Sequence, residues 1–253
     1  MLTNTSLLIK NIEVICNLEY VVNDNELRTV PPVPIPSQLT REVTSHFAYL
    51  DLSKFDREVP ASAAYPHSTF TSSLLVLARD IVLSDLPEAA RFLGIKIKHK
   101  WSYGPVLLDK KKHTLVGELD YGIWYGDMED LALIAAVVRT KPGEVQKGIA
   151  QTLASMGCVH RRRKDLKKND CTIYGLVTDD KDFWFLKISH DSNWSVHPVM
   201  ARCSRDCEKV LGMLVYFFEK TVMAYPRSNK SGQLQAQESD AVEIDDWDMC
   251  SIE

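Results

Sequence analysis

The stretch LIAAVVRTKPGE, residues Leu133–Glu144, decides how the rest of the chain is interpreted. It opens with six apolar residues, the pattern of a strand covered on both faces in the middle of a mixed sheet. Alternation along such a strand places Arg139 and Lys141 on one face at its end, and a Pro-Gly turn follows. The strand therefore joins a buried core to a charged end, where a functional site is expected.

The flanking sequence predicts an α/β fold with a mixed sheet flanked by helices. Helical spacing of apolar residues is found in three segments: 68–92, 142–164 and 206–223. Alternating or β-branched residues predict strands at 94–109, 113–126, 131–141, 171–179 and 182–188. The expected order is helix, three strands, helix, two strands, helix, which makes a sandwich.

Composition divides the chain into three parts. Residues 1–67 form an N-terminal arm whose proline-rich segment VPPVPIPSQ (Val30–Gln38) must be extended or turn-like. This segment is expected to pack on the domain, or alternatively to bind a proline-reading domain. Residues 68–225 form the α/β domain, and residues 226–253 form a polar, then acidic tail for which we predict disorder.

Bulk properties favour an intracellular protein. The net charge of −4 over 253 residues is ordinary, and six dispersed cysteines indicate reduced thiols. The N-terminus lacks the pattern of a signal peptide, and no apolar run approaches the roughly 20 residues that span a bilayer. We expect a cytoplasmic or nuclear location with no membrane partner.

Charged residues on two predicted neighbouring strands are expected to converge. Glu118 and Asp120 are two residues apart, and alternation places them on one face of their strand. Arg139 and Lys141 share a face of the next strand in the same way. If the strands pair, two carboxylates and two cations meet at one end of the sheet.

The following helix adds Glu144 and Gln151, which lie on one helical face because they are seven positions apart. Such a collection of groups can hydrolyse phosphodiesters with the help of a metal. Carboxylates hold Mg²⁺ through hard oxygen ligands, and the metal lowers the pKa of an attacking water. A lysine can then orient that water or neutralise developing charge.

Four segments in this order resemble the PD-(D/E)XK, or restriction-endonuclease-like, nuclease superfamily, and in particular a group of uncharacterised fungal proteins with this core. They are GELDYGIWYG, AAVVRTK, QTLASMGCVHRRRK and IYGLVTDDKDFWFLKI, and the resemblance covers Phe70–Met223. It implies a restriction-endonuclease-like core in which Asp120 is the metal-binding aspartate. It also implies that Lys141 is the motif lysine and that Gln151 is the glutamine on the helix after it.

Arg139 departs from this family pattern, because the second metal-binding carboxylate should lie two residues before Lys141. A guanidinium stays protonated and would repel Mg²⁺. This predicts a degenerate site in which Arg139 replaces the cation by pairing with Asp120 or Glu118. The expected protein is a catalytically impaired nuclease-like chain that acts by nucleic-acid binding or regulatory interaction.

Two alternatives remain open. Glu118, Glu144 or Gln151 could supply the missing ligand, which would give an active Mg²⁺-dependent endonuclease or exonuclease. The charges could instead be solvated strand ends of a protein-interaction module that has no nucleic-acid partner.

Charge is concentrated at two further places. Residues 161–168 (RRRKDLKK) carry six bases and one acid at a predicted helix end, and residues 238–253 carry seven acids and no base. The basic run could solvate the helix end, direct nuclear import or bind DNA or RNA phosphates. The tail could bind a protein partner or cover the basic run. The candidate nucleic-acid-binding residues are Arg161, Arg162, Arg163, Lys164, Lys167 and Lys168.

Overall fold

A computed structural model describes residues 2–3, 8–22, 24–37, 44, 67–108, 110–126, 133–139 and 143–224. These residues form one eight-stranded sheet with helices on both faces. The helices are α1 (Ile9–Cys16), α2 (Asn25–Thr29), α3 (His67–Asp85), a 3-10 helix (Pro87–Arg91), α4 (Val145–Asp165) and α5 (Ser204–Ala224). The strands are β1 (Leu2–Thr3), β2 (Glu19–Tyr20), β3 (Leu93–Leu108), β4 (Lys111–Tyr125), β5 (Leu133–Arg139), β6 (Ile173–Thr178), β7 (Asp182–Ile188) and β8 (Asn193–Met200).

The sheet is mixed, with the order β1-β4-β5-β6-β7-β8-β2 and with β3 paired to β4. β3, β4 and β5 pair antiparallel, α4 carries the chain to β6 parallel to β5, and β6, β7 and β8 are again antiparallel. The prediction of a mixed α/β fold flanked by helices is confirmed. The predicted order of elements was wrong in omitting β8, whose polar sequence with Pro198 gives a weak strand signal.

Two apolar layers enclose the sheet. On one face α2, α3 and α5 cover side chains such as Tyr121, Ile123 and Phe185. On the other face α1 and α4 cover Trp124 and Leu186, among others. All six residues of β6 are buried. Because no face of this strand reaches water, its sequence is nearly continuous in apolar residues, as expected for a parallel strand between two helical layers.

Local sequence sets the bounds of α3. Phe70, Leu74, Ala78 and Val82 recur every four residues and are all buried, so they form the stripe that packs on the sheet. Pro87 lacks a backbone N–H and is tolerated only at the start of a helical turn, where it begins the 3-10 helix. In the described part of the chain, no helix is both long and apolar enough to cross a bilayer.

The N-terminal elements pack on the same core. α1 lies against α4, and β2 pairs with β8. The proline-rich segment lies on α5, where the Val33 N–H donates to the Glu208 carbonyl at 2.9 Å. A Cβ added to Gly212 would collide with the Pro31 carbonyl oxygen and lie 3.1 Å from Pro32 Cα. Gly212 therefore allows the segment to approach the helix backbone closely.

Gly212→Ala tests this close approach. Alanine at an open helical position would raise stability by about 1 kcal/mol. Overpacking against Pro31 should instead lower the free energy of unfolding by about 1–3 kcal/mol, measured by urea denaturation. Met223→Ala is the control, because Met223 is 74% exposed on the same helix and should change stability by less than about 0.5 kcal/mol. A more stable Gly212→Ala variant would contradict the packing described here.

A buried ion-pair cluster joins α2 to β7. The ammonium of Lys187 donates to Asp24 Oδ2 at 3.0 Å and to Glu26 Oε2, and Ser195 Oγ donates to Asp24 Oδ2 at 2.9 Å. Glu26 Oε1 also accepts from two tyrosine hydroxyls, those of Tyr174 and Tyr216. Burial alone would raise the pKa of both carboxyls, but hydrogen bonds from Lys187 hold them below their ordinary values.

Lys187→Met should remove the compensating charge of this cluster. The free energy of unfolding should fall by about 2–3 kcal/mol at pH 7, somewhat less than for a fully buried pair because Glu26 remains partly solvated. Since the carboxyl pKa values are lowered in the folded protein, parental stability should rise between about pH 3 and pH 5. The variant should lose most of that rise, and denaturation midpoints measured across this range would show it. An identical pH profile in both proteins would be inconsistent with the cluster.

Candidate functional site

The side chains of β3 and β4 switch from one face of the sheet to the other at the level of Lys98 and Asp120. Lys98 has a left-handed backbone with φ of 55°. Before it, Ile95 packs toward α3 and α5, whereas Trp101 after it packs toward α4. On β4, Leu119 faces the α4 layer and Tyr121 faces the opposite layer. A non-glycine residue in this conformation is strained, and such strain is concentrated at sites where side-chain direction matters.

The Lys98 ammonium contacts Asp120 and Glu118, the two carboxylates that the sequence predicts as metal ligands. Nζ donates to Asp120 Oδ1 at 2.7 Å and lies 3.5 Å from Glu118 Oε1. The hydrogen bond to Asp120 raises the pKa of Lys98 above its ordinary value. The Asp120 side chain is 15% exposed, whereas that of Lys98 is 58% exposed. The two acids therefore do converge, on a lysine that sequence reasoning did not include.

Strand register places Asp120 beside the end of β5. Tyr121 pairs with Val137, so the residue before Tyr121 lies level with the last residues of β5. The Arg139 backbone pairs with Thr178 at the end of β6. The side chain of Arg139 and all of Lys141 lie outside the described residues. Their roles as cation substitute and motif lysine remain predictions.

A further carboxylate, Asp180, lies just beyond the end of β6. It is 4% exposed, its Oδ1 accepts from the Thr71 hydroxyl on α3, and its N–H donates to Thr178 Oγ1 at 2.9 Å. Because β5 and β6 are parallel, their carboxyl ends share one edge of the sheet. Asp180 therefore lies at the same end of the sheet as Asp120, which is level with the last residues of β5. The sequence does not separate Asp180 from the neighbouring acids Asp179 and Asp182, whereas its burial and its contact with Thr71 do.

The helix residues do not complete a metal site with these acids. Glu144 precedes α4, is half exposed, and pairs with Lys147 at 3.5 Å. Gln151 is half-buried two turns along α4. In the described part of the chain, no three His, Cys, Asp or Glu side chains are grouped so that they could hold a metal ion.

These described residues do not fit a magnesium site. Mg²⁺ requires near-octahedral oxygen ligation, and it is held by carboxylates supplemented by water and substrate phosphates. At this site a positively charged amine already occupies the space next to both carboxylates. An ammonium at 2.7 Å neutralises Asp120 and repels a second cation from it.

The basic run at the end of α4 is partly structural. Arg163 is 6% exposed and donates to the Thr172 carbonyl at 2.8 Å, which holds the start of β6. Arg161 donates to the Ile15 carbonyl near the end of α1. The guanidinium of Arg162 lies over the Tyr103 ring on β3, 5.8 Å from its centroid.

The remaining bases of this run, Lys164, Lys167 and Lys168, are exposed. Alanine at Arg163 would leave a carbonyl without its donor and would destabilise the fold, so it cannot report on ligand binding alone. The exposed lysines, by contrast, are available to a partner. A nucleic-acid role for the run remains a prediction.

Comparison with known proteins adds no assignment: no protein-family model matches the chain, and no curated protein is significantly similar to it. Function therefore has to be inferred from the ion pair, the sheet end and the basic residues described above.

Replacing Lys98 tests whether its ammonium excludes a metal. Lys98→Met should leave Asp120 and Glu118 without their shared cation, and Mn²⁺ binding should become at least tenfold tighter by titration calorimetry. Lys100→Met is the matched control, because Lys100 pairs with Glu118 across the strands but is not ion-paired with it. If the parent already binds Mn²⁺ as tightly as the Lys98 variant, the ammonium does not exclude the metal.

Proposed function

We propose that the chain is a catalytically impaired nuclease-like protein that acts by binding nucleic acid. One observation carries the proposal: the Lys98 ammonium lies on Asp120 and Glu118, the two carboxylates that would otherwise hold Mg²⁺. A lysine cannot polarise a phosphate and supply a metal-bound hydroxide as Mg²⁺ does. It can preserve charge balance and keep the strand end folded.

The arrangement of the central elements supports the nuclease-like part of the proposal. α3, the antiparallel strands β3, β4 and β5, α4 and the parallel strand β6 follow one another along the chain. The resemblance to the PD-(D/E)XK superfamily rests on the same segments in the same order. In this arrangement Asp120 lies beside the end of β5, where that resemblance expects the metal-binding aspartate.

Charge supports the nucleic-acid part. Lys164 lies in the last turn of α4, Lys167 and Lys168 follow directly after the helix, and the neighbouring Arg161 and Arg163 are anchored to the fold. Clustered cations of this kind release counterions when they contact phosphates, and this gives affinity without sequence preference. The Lys98 ammonium offsets one of the two negative charges of Asp120 and Glu118, which weakens their repulsion of a polyanion.

The proposal predicts binding without cleavage. Labelled duplex DNA, single-stranded DNA and RNA should bind at about 50 mM salt and dissociate as salt rises. With Mg²⁺ or Mn²⁺ present, the same substrates should remain intact at high protein concentration, and Asp120→Ala should leave this background unchanged. Both readouts can be taken from one gel.

Two outcomes would decide against the proposal. Cleavage that disappears on Asp120→Ala would show an active nuclease with a relocated ligand. Absence of binding to every probe at low salt would favour a protein-interaction module. Lys220→Ala controls for the loss of one positive charge elsewhere and should leave binding unchanged. Lys220 lies over the Tyr216 ring on α5, which covers the face of the sheet opposite to α4.

A further inference from the structure

The β3–β4 hairpin is strongly basic although the chain as a whole is acidic. Residues 93–125 carry six lysines and three acids, and the whole chain has a net charge of −4. Two of the three acids, Glu118 and Asp120, share the single ammonium of Lys98. The hairpin keeps a net charge of +3, six lysines against three acids, and its positive charge is carried by the five lysines other than Lys98.

The tip of the hairpin concentrates this charge. Lys110, Lys111 and Lys112 follow one another at the turn, all three are exposed, and no described carboxylate pairs with them. Lys111 pairs across the strands with Leu108 and Lys112 with Leu107. Neighbouring residues of a strand point to opposite faces, so these lysines extend positive charge over both faces of the tip.

The basic end of α4 adjoins the same hairpin. Arg162 lies over the Tyr103 ring of β3, and Arg161 is tied to the Ile15 carbonyl. The helix end and the hairpin are therefore held next to each other by side-chain contacts. In the described sheet β3 pairs with β4 alone, so its other edge is open.

We propose that the β3–β4 hairpin and the adjoining end of α4 form one docking surface for the phosphodiester backbone of a nucleic acid. The surface is called the hairpin surface, and its exposed cations are Lys100, Lys110, Lys111, Lys112, Lys164, Lys167 and Lys168. The proposal rests on the nucleic-acid-binding function proposed above but centres the contact on the tip of the hairpin rather than on Asp120.

Charge distribution favours a polyanion over an apolar protein partner. Protein interfaces have an apolar or aromatic centre that lacks charge. Of the exposed apolar side chains on the hairpin, Ile97 lies between Lys96 and Lys98, and Leu107 pairs with Lys112 across the strands. Regularly spaced phosphates match such a surface, and the number of phosphates contacted can be read from the salt dependence of binding.

The test neutralises the hairpin tip in the full-length protein. Lys111→Ala/Lys112→Ala is compared with the parent and with Arg28→Ala/Arg205→Ala, which removes two exposed cations from α2 and α5. The probes are a labelled DNA duplex, its single strand and an RNA duplex of the same length. Affinity is measured by fluorescence anisotropy over a series of salt concentrations.

The tip variant should bind more weakly to the DNA duplex, with the slope of log K against log salt reduced by about 1.8, or about 1.4 for the single strand. The control variant should keep the parental slope. Lys111→Arg/Lys112→Arg should restore binding, since the charge is retained.

Several results would overturn the inference. An unchanged slope in the tip variant, or an equal loss of slope in the control, would contradict the hairpin surface as the binding site. The proposal that the chain binds nucleic acid would not be affected. Tighter binding of polyglutamate than of nucleic acid with equal charge would identify an acidic protein as the occupant. Cleavage of the probes with a tip-dependent slope would reject the impaired-catalysis proposal and keep the surface. If the parent binds no probe, both proposals fail.

Discussion

Burial of the sheet between two helical layers is the constraint on which the rest of the structure depends. β6 has no residue in contact with bulk water, and the described side chains of β5, Ala135 and Val137, are fully buried. A charge cannot remain unpaired in such a layer. Polar chemistry is therefore confined to strand ends and to the exposed positions of the β3–β4 hairpin. Asp120 lies at that boundary, only partly exposed and paired with a lysine.

Much of the fold was predictable because it depends on local periodicity. The buried stripes of α3 and α5 and the apolar runs of the central strands can be recognised in the sequence alone. The pairing of Glu118 and Asp120 with Lys98 could not be predicted, because it requires a left-handed backbone at Lys98 within β3. In a hairpin, cross-strand charge pairing is the only sequence signal for such a contact, and it appears only when the register is known.

Other contacts escaped prediction because they connect distant parts of the chain. The ion pairs from Lys187 to Asp24 and Glu26 join residues more than 160 positions apart, and β1 and β2 are strands of only two residues. No local pattern marks such short parallel pairings. The basic run on α4 shows the opposite limitation: its charge is obvious in the sequence, but only the structure separates the buried Arg163 from the exposed lysines that follow it.

The N-terminal segment has a consequence for the order of folding. β1 pairs with β4 more than 100 residues away, and β2 pairs with β8 across more than 170 residues. On the ribosome, β2 emerges long before β8, and its pairing cannot form until β8 has been synthesised. Such long-range closure is slow, because chain entropy is lost before the contacts compensate for it. Until then the faces of α4 and α5 that this segment covers remain open to solvent, which makes late synthesis the stage most exposed to aggregation.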